Sequence, residues 1–221
     1  MSEFLNKNFW LDFIDKTENF TNTCVFENSF SIEDRNTLYN GVTETLYRRI
    51  NEKILDKGFR LYFEGEELNK EFTNTFLTQN PPKANEDIID YCNRVFDKRF
   101  GIIMNNNEAF SEQLASRVLK MMSSLFEIAG LPPLGNEITV FIGNYGWTPL
   151  GIHKDHTGEN VLHFHLGPGR KQMYIWDDET YEKLVGKNVS NYKNIEPILS
   201  HSKKYDFGDR DIYYMPWFVN H

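Results

Sequence analysis

At "LPPLG", residues 131–135, the periodicity of the chain changes, and this switch constrains the fold more than any other feature. Upstream, apolar residues recur at helical spacing. "FSIEDRNTLYNGVTETLYRRINEKILDKG" carries Leu38, Val42, Leu46, Ile50 and Ile54 at four-residue steps, one face of a helix, with Ser31 at its start and Gly58 as its stop. A second helix is expected from Glu86 to about Phe96, behind the prolines of "NPPKANEDIIDYCNRVF". A third falls in "NEAFSEQLASRVLKMMSSLFEIAG", where Phe110, Leu114, Val118, Met121 or Met122, and Leu125 form the stripe and Gly130 the cap. "FRLYFEGEEL" and "FGIIMN" read as short strands between these helices. Downstream, "NEITVFIGNYG", "ENVLHFHLG", "RKQMYIWD" and "RDIYYMPW" are short, β-branched or aromatic, and separated by Gly, Pro and Asn. The reading is therefore α+β: a mostly helical region over 1–130, then a β-region over 131–221.

A chain of 221 residues, 40% apolar and 15% aromatic, has enough hydrophobic material for a sizeable core. Its net charge of −8 disfavours nucleic acid, whose binding needs a broad basic surface. Cys24 and Cys92 stand far apart with no CxxC partner, so free thiols in a reducing compartment are expected. The N-terminal "MSEFLNKNFWLDFIDKTENF" is acidic and broken by charge, unlike a signal peptide. No apolar run approaches the roughly 20 residues that span a bilayer. A cytoplasmic protein without membrane contact is the expectation.

The β-region carries the chemistry. His153 and Asp155 are separated by one residue, and on a strand residues i and i+2 share a face. An imidazole nitrogen and a carboxylate oxygen therefore converge. One more histidine from a distant strand completes two histidines and a carboxylate, a set that leaves open coordination positions and suits non-haem Fe(II). His201 and His221 are the candidates. His221 follows an acidic turn, an apolar strand and Pro216 in "DRDIYYMPWFVNH", where the proline ends regular pairing and lets the chain turn toward a site. His201, in "LSHSKKYD", reads as an exposed loop or strand end, so His221 is preferred.

Taken together, His153-Lys154-Asp155, then Gly169-Arg170-Lys171 heading "QMYIW", then Asp211 through Pro216 and His221, resemble the JmjC/cupin-type 2-oxoglutarate-dependent oxygenases. That group includes asparaginyl and lysyl protein hydroxylases, and the resemblance covers residues 137 to 221. It implies a double-stranded β-helix (cupin, jelly-roll) core, with Fe(II) held by His153, Asp155 and His221. It implies that Lys171 meets the far carboxylate of 2-oxoglutarate, since a compact ammonium pairs with a carboxylate. Asn160 matches a pocket-facing asparagine if the "GP" of "LGPGRK" is an insertion, and Thr148 resembles a threonine ahead of the HxD element. Tyr145 is a further candidate for the cosubstrate. The implied reaction consumes O2, yields succinate and CO2, and hydroxylates a peptide or protein side chain. The helical part would shape the substrate groove or form a homodimer interface.

The sequence also departs from that pattern. Gly208-Asp209 is shifted from its usual place, although Asp211 keeps the spacing to Pro216. A β-helix carries a further strand after this last ligand, so the natural chain is expected to continue past His221 or to receive that strand from elsewhere.

Bland readings apply to the remaining residues. If Asn160 faces the pocket, Leu162 and Phe164 do too, and His163 and His165 point away in a packing role. His156 and His201 read as exposed, and Asp177-Asp178-Glu179 as a solvated loop. Trp147, Trp176 and Trp217 read as core or pocket wall, with Trp217 and Phe218 near the substrate mouth. Two rivals stand beside the oxygenase. One is a cupin-fold metalloenzyme without 2-oxoglutarate, its metal on His163 and His165; the other is a non-catalytic binding module on a β-helix scaffold.

Overall fold

The computed structural model describes residues 5–148 and 150–221. It is α+β, with every strand pairing antiparallel. In chain order the elements are α1 (Lys7–Lys16), β1 (Cys24–Phe26), α2 (Ile32–Asn51), β2 (Phe59–Phe63), β3 (Glu66–Glu67), α3 (Lys70–Gln79) and α4 (Ile88–Val95). There follow β4 (Phe100–Met104), α5 (Glu112–Ala129), β5 (Val140–Gly143), β6 (Val161–Phe164), β7 (Lys171–Ile175), α6 (Asp178–Val185), β8 (Lys203–Phe207) and β9 (Ile212–Met215). No helix among the described residues is long and apolar enough to cross a membrane.

The chain forms two compact units that interleave along the sequence. One holds residues 1–35, 120–135 and 150–221, the other 36–119 and 136–149. The switch of period at 131–135 thus separates kinds of secondary structure, whereas the units are assembled from non-contiguous stretches.

In the second unit, β3, β2, β4 and β5 form a sheet in that order. Its central strand β4 is buried at every residue, as the continuous apolar run "FGIIM" requires. Phe63, Phe76, Phe96 and Phe100 pack over it, the last two stacked at 4.1 Å. Asp87 caps α4 by accepting the Ile89 N–H, and its carboxylate also accepts the Tyr39 hydroxyl.

Helix α2 ends at Asn51, well short of Gly58. Lys53 turns left-handed (φ 57°) and the Ile54 N–H closes back on the Arg49 carbonyl. The buried Arg49 guanidinium then donates to the carbonyls of Ile54, Asn105 and Lys57. Ile54 therefore sits outside the helix, and the arginine satisfies loop carbonyls in place of further helical turns.

In the first unit, β1, β9 and β6 form one sheet and β7 and β8 another. Strand β1, three residues that carry no alternation, pairs with β9 at Cys24↔Tyr214 through Phe26↔Ile212. Helix α1 covers one face of this sheet. Its Trp10 and Phe13 are buried, and Phe13 packs on Phe26 and Tyr214 at 5.0 and 5.3 Å between ring centroids. The other face presents Tyr213 and Met215, which cluster with Ile175 and Phe207 of β7 and β8. A second small core, Ile152, Trp176, Tyr181, Ile195 and Ile198, lies on the opposite side of β7. Tyr181 comes from α6, whose N-cap Asp177 accepts the Thr180 N–H, so Asp177-Asp178-Glu179 opens a helix and is not a loop.

Candidate metal centre

Past the end of β9 the chain returns alongside two other segments. The Trp176 N–H donates to the Asn220 carbonyl at 2.9 Å. His153 and His221 exchange both backbone hydrogen bonds at 3.0 Å, a directly opposed antiparallel pair. Directly opposed residues put their side chains on one face. The two imidazoles accordingly lie together, ring centroids 4.4 Å apart. Asp155, two residues on from His153, joins them: its Oδ1 is 3.9 Å from His153 Nε2 and its Oδ2 is 4.0 Å from His221 Nε2. One ligand atom from each residue lies within 4.8 Å of the other two.

The backbone orients both rings. His153 Nδ1 lies 2.8 Å from the Gly151 carbonyl and His221 Nδ1 lies 3.3 Å from that of Val219. A carbonyl only accepts, so Nδ1 carries the proton and each Nε2 lone pair is turned toward Asp155. Gly151 is needed for this turn. Its φ is +73°, and a Cβ there would stand 2.8 Å from the Tyr192 carbonyl oxygen.

The electrostatics are those of a cluster taken out of water. Burial pushes the Asp155 carboxyl above its usual range and brings the His221 imidazole down to about 4. Asp155 Oδ2 is buried without a hydrogen-bond partner. A divalent cation answers each feature: it takes the two imidazole lone pairs, neutralises the carboxylate and partners the orphaned oxygen. The donor set of two histidines and one carboxylate fits such an ion. Among the described residues no other histidine, cysteine or carboxylate cluster has this convergence.

Lys171 opens β7, paired with the fully buried Phe207. Alternation from Trp176, opposite Asn220, places Ile175, Met173 and Lys171 on the same side as His221. Burial lowers the Lys171 ammonium to about 8, and its charge is felt at His221. His201 is exposed at the end of a short 3₁₀ turn. Asn160 is exposed, and its Oδ1 accepts the Trp217 N–H at 3.1 Å. Tyr145 and Thr148 belong to the second unit, where the Tyr145 ring lies against Gly101 and Gly143.

The facing of β6 is a correction. His163 pairs with Tyr213, so it faces the Phe207 side, and its ring lies 5.3 Å from Phe207 and 5.7 Å from His165. Leu162 pairs with Tyr214 on the face that α1 covers, and Phe164 meets Phe30 there. Asn160 lies outside β6, so parity counted from it does not carry into the strand. The cluster that sequence reasoning missed is therefore Tyr213, Tyr205 and His163 around Phe207. The alternation of His163 and Tyr213 was visible, but not which face turned inward.

Burial, with the Lys171 and His165 charges beside it, holds His163 well below the ordinary imidazole value. Folded His163 stays neutral where the unfolded imidazole takes a proton, so below about pH 6.5 the unfolded chain binds more protons. Stability of the metal-free protein is therefore expected to fall as pH drops from about 7 toward 5, with Asp155, raised in the fold, opposing the trend at the acid end. Tyr213 and Phe207, the other neighbours of His163, carry no charge in this range. Denaturant midpoints across that range for wild type and His163→Leu check this. The variant should lose part of the slope, at most about 1.4 kcal/mol per pH unit for one proton.

Neither a scan of family models nor searches of curated proteins and of solved structures finds a match for this chain.

Proposed function

We propose that this protein is an Fe(II)- and 2-oxoglutarate-dependent oxygenase that hydroxylates an unactivated C–H bond on a peptide or protein side chain. The observation that carries the reading is the convergence of His153, Asp155 and His221, with an orphaned carboxylate oxygen at its centre, on a face shared with the half-buried Lys171. Strand order supports a double-stranded β-helix. Residues 220–221 bond both 152–153 and the end of β7, and β7 pairs β8, an order that a four-segment layer of a β-helix would have. Strands β1, β9 and β6 form the second sheet. The peptide or protein substrate rests on the resemblance to protein hydroxylases.

In this reading the iron, with 2-oxoglutarate and O2, supplies the oxidant for C–H cleavage. With the iron bound, one oxygen atom of O2 would enter succinate as CO2 leaves and the other would become the product hydroxyl. The chain's own residues do the rest. Gly151 and Val219 carbonyls fix the tautomers of His153 and His221 so that their Nε2 atoms serve as ligands. Lys171 holds its positive charge for the far carboxylate of the cosubstrate. Met173, Ile175 and Met215 belong to the apolar cluster around Phe207 and keep that side of β7 free of water.

The test is anaerobic titration with Fe(II) and then 2-oxoglutarate, followed by succinate measurement on admitting air. Wild type should bind both and form succinate, and His153→Ala should form none. Lys171→Ala should keep the metal and bind 2-oxoglutarate about a hundredfold more weakly, as expected when one side of a buried charge pair is removed. Metal binding with no 2-oxoglutarate dependence would sink the oxygenase, and absence of metal binding would sink the metal centre itself.

A further inference from the structure

The two segments that present His153, Asp155 and His221 are also tied together from behind, by side chains. His153 and His221 exchange both backbone hydrogen bonds, so the next residues along each segment, Lys154 and Asn220, stand opposite each other as well. Side chains alternate between faces, so these two leave the backbone on the side away from the imidazoles. One carboxylate oxygen takes both. Asp178 Oδ1 lies 2.6 Å from the Lys154 ammonium and accepts the Asn220 Nδ2–H at 2.9 Å. Asn220 is buried, so its amide needs a partner within the protein, and Asp178 is that partner. Asp178 is the first residue of α6, directly after the N-cap Asp177. Tyr181 of the same helix is buried in the core with Ile152 and Trp176. The carboxylate thus comes from a helix fixed to the core. The segments it holds meet their neighbours only through isolated bridges, Ile152↔Tyr192 and Trp176↔Asn220, and not through strands.

Resting on the metal centre of the function proposed above, we infer that Asp178 is a positioning residue for that centre: by holding Lys154 and Asn220 it keeps His221 in register with His153 and Asp155, and the affinity of the site for a divalent cation depends on it. Asp178 itself touches no metal. Lys154 and Asp178 are partly open to solvent, so their ion pair adds little to the stability of the fold. Its effect is on spacing. Lys154 stands between two of the candidate ligands and Asn220 beside the third, and the three ligand atoms must stay within 4.8 Å of one another. A shift of either segment spoils that convergence. Loss of a group that orients ligands weakens metal binding by about 10- to 100-fold. Asp178 also places a negative charge at the positive end of α6. Glu179 lies in the same first turn and takes no part in the bridge, so it separates the two roles.

The experiment is anaerobic titration of the full chain with Fe(II), with a thermal midpoint of the metal-free protein for each variant. Asp178→Ala should bind Fe(II) at least about tenfold more weakly than wild type. Asp178→Asn keeps an oxygen for Asn220 and loses only the charge, so it should lose no more than about threefold, the scale of an exposed ion pair. Glu179→Ala should lower the thermal midpoint as much as Asp178→Ala does and leave Fe(II) affinity at the wild-type value. Asn220→Ala removes the other end of the buried bond, and combined with Asp178→Ala it should cost no more affinity than the worse single variant, because both break one bridge. Wild-type affinity in Asp178→Ala would overturn the inference. Equal losses in Asp178→Ala and Glu179→Ala would do so too, since they would assign the carboxylate to the helix alone. If Asp178→Ala does not fold, Lys154→Met breaks the bridge from its solvent end and should lose about threefold; undiminished affinity there overturns the inference. Wild type that binds Fe(II) while Asp178→Ala binds it equally well leaves the metal centre standing, whereas wild type that binds no metal overturns both.

Discussion

Replacing His221 with alanine is expected to lower Fe(II) affinity by at least about a hundredfold while changing the stability of the metal-free protein by less than about 2 kcal/mol. The two effects separate because His221 does two different things. Its backbone closes the antiparallel pair with His153, and that pairing survives the substitution. Its side chain offers one of the three ligand atoms of the candidate metal centre. Losses of about 10- to 100-fold follow from disturbing groups that merely orient a ligand, so losing a ligand outright costs more. The imidazole's removal costs packing. It also relieves a crowded cluster in which His221 is already held down to about 4 by burial and by His153. Isothermal titration with Fe(II) under anaerobic conditions, paired with urea denaturation, reads both quantities. Undiminished metal binding by His221→Ala would move the site elsewhere. A collapse in stability would make this histidine a structural residue.

The second large effect lies in the segment that pairs with Asn220. Trp176→Ala should destabilise the protein by about 3–5 kcal/mol, the range for deleting a buried aromatic side chain. Trp176 is 2% exposed and fills the core formed with Ile152, Tyr181, Ile195 and Ile198. Its indole N–H donates to the Ile198 carbonyl at 3.0 Å, a buried bond that alanine would remove. The substitution should also weaken metal binding without touching a ligand. Ile152 in this core precedes His153, and the Trp176 backbone bonds Asn220, which precedes His221. The core thus anchors two of the three candidate ligands from behind. Trp176→Phe, which keeps most of the ring volume, should recover most of the metal affinity. If Trp176→Ala lost stability and kept full metal affinity, the ligands would owe their positions to the backbone pairing alone.

Much of the secondary structure was legible in the sequence because it is a local matter. The stripe of Leu114, Met121 and Leu125 buries in α5 as its spacing requires, and Gly130 closes that helix with φ +82°. The buried run of β4 and the strands β5, β6, β7 and β9 lie where alternation and turn residues set them. Other elements left weaker marks. Strand β1 is three residues long, too short for a period, and exists because β9 offers it a partner. Helix α6 was hidden in an acidic run, although Asp177 followed by Thr180 at the third position is a capping signal. The end of α2 depended on Arg49 reaching carbonyls as distant as Asn105, which no local pattern announces.

The candidate site divides in the same way. His153 and Asp155 share a face because strand geometry has period two, so their convergence was already contained in two residues of sequence. That His221 stands directly across from His153 is a matter of register between segments far apart in the chain. So is the inward turn of His163 and Tyr213 around Phe207. A slip of one residue would reverse every side chain on the strand. Only the packing of α1 over Leu162 and Tyr214, and of β7 and β8 over His163 and Tyr213, decides which face is buried against which layer. The sequence by itself determined the periods, the caps and the paired ligands. The tertiary structure decided the facing and the long-range partners, because register is chosen by the total apolar surface each alternative buries and no short stretch of residues contains that sum.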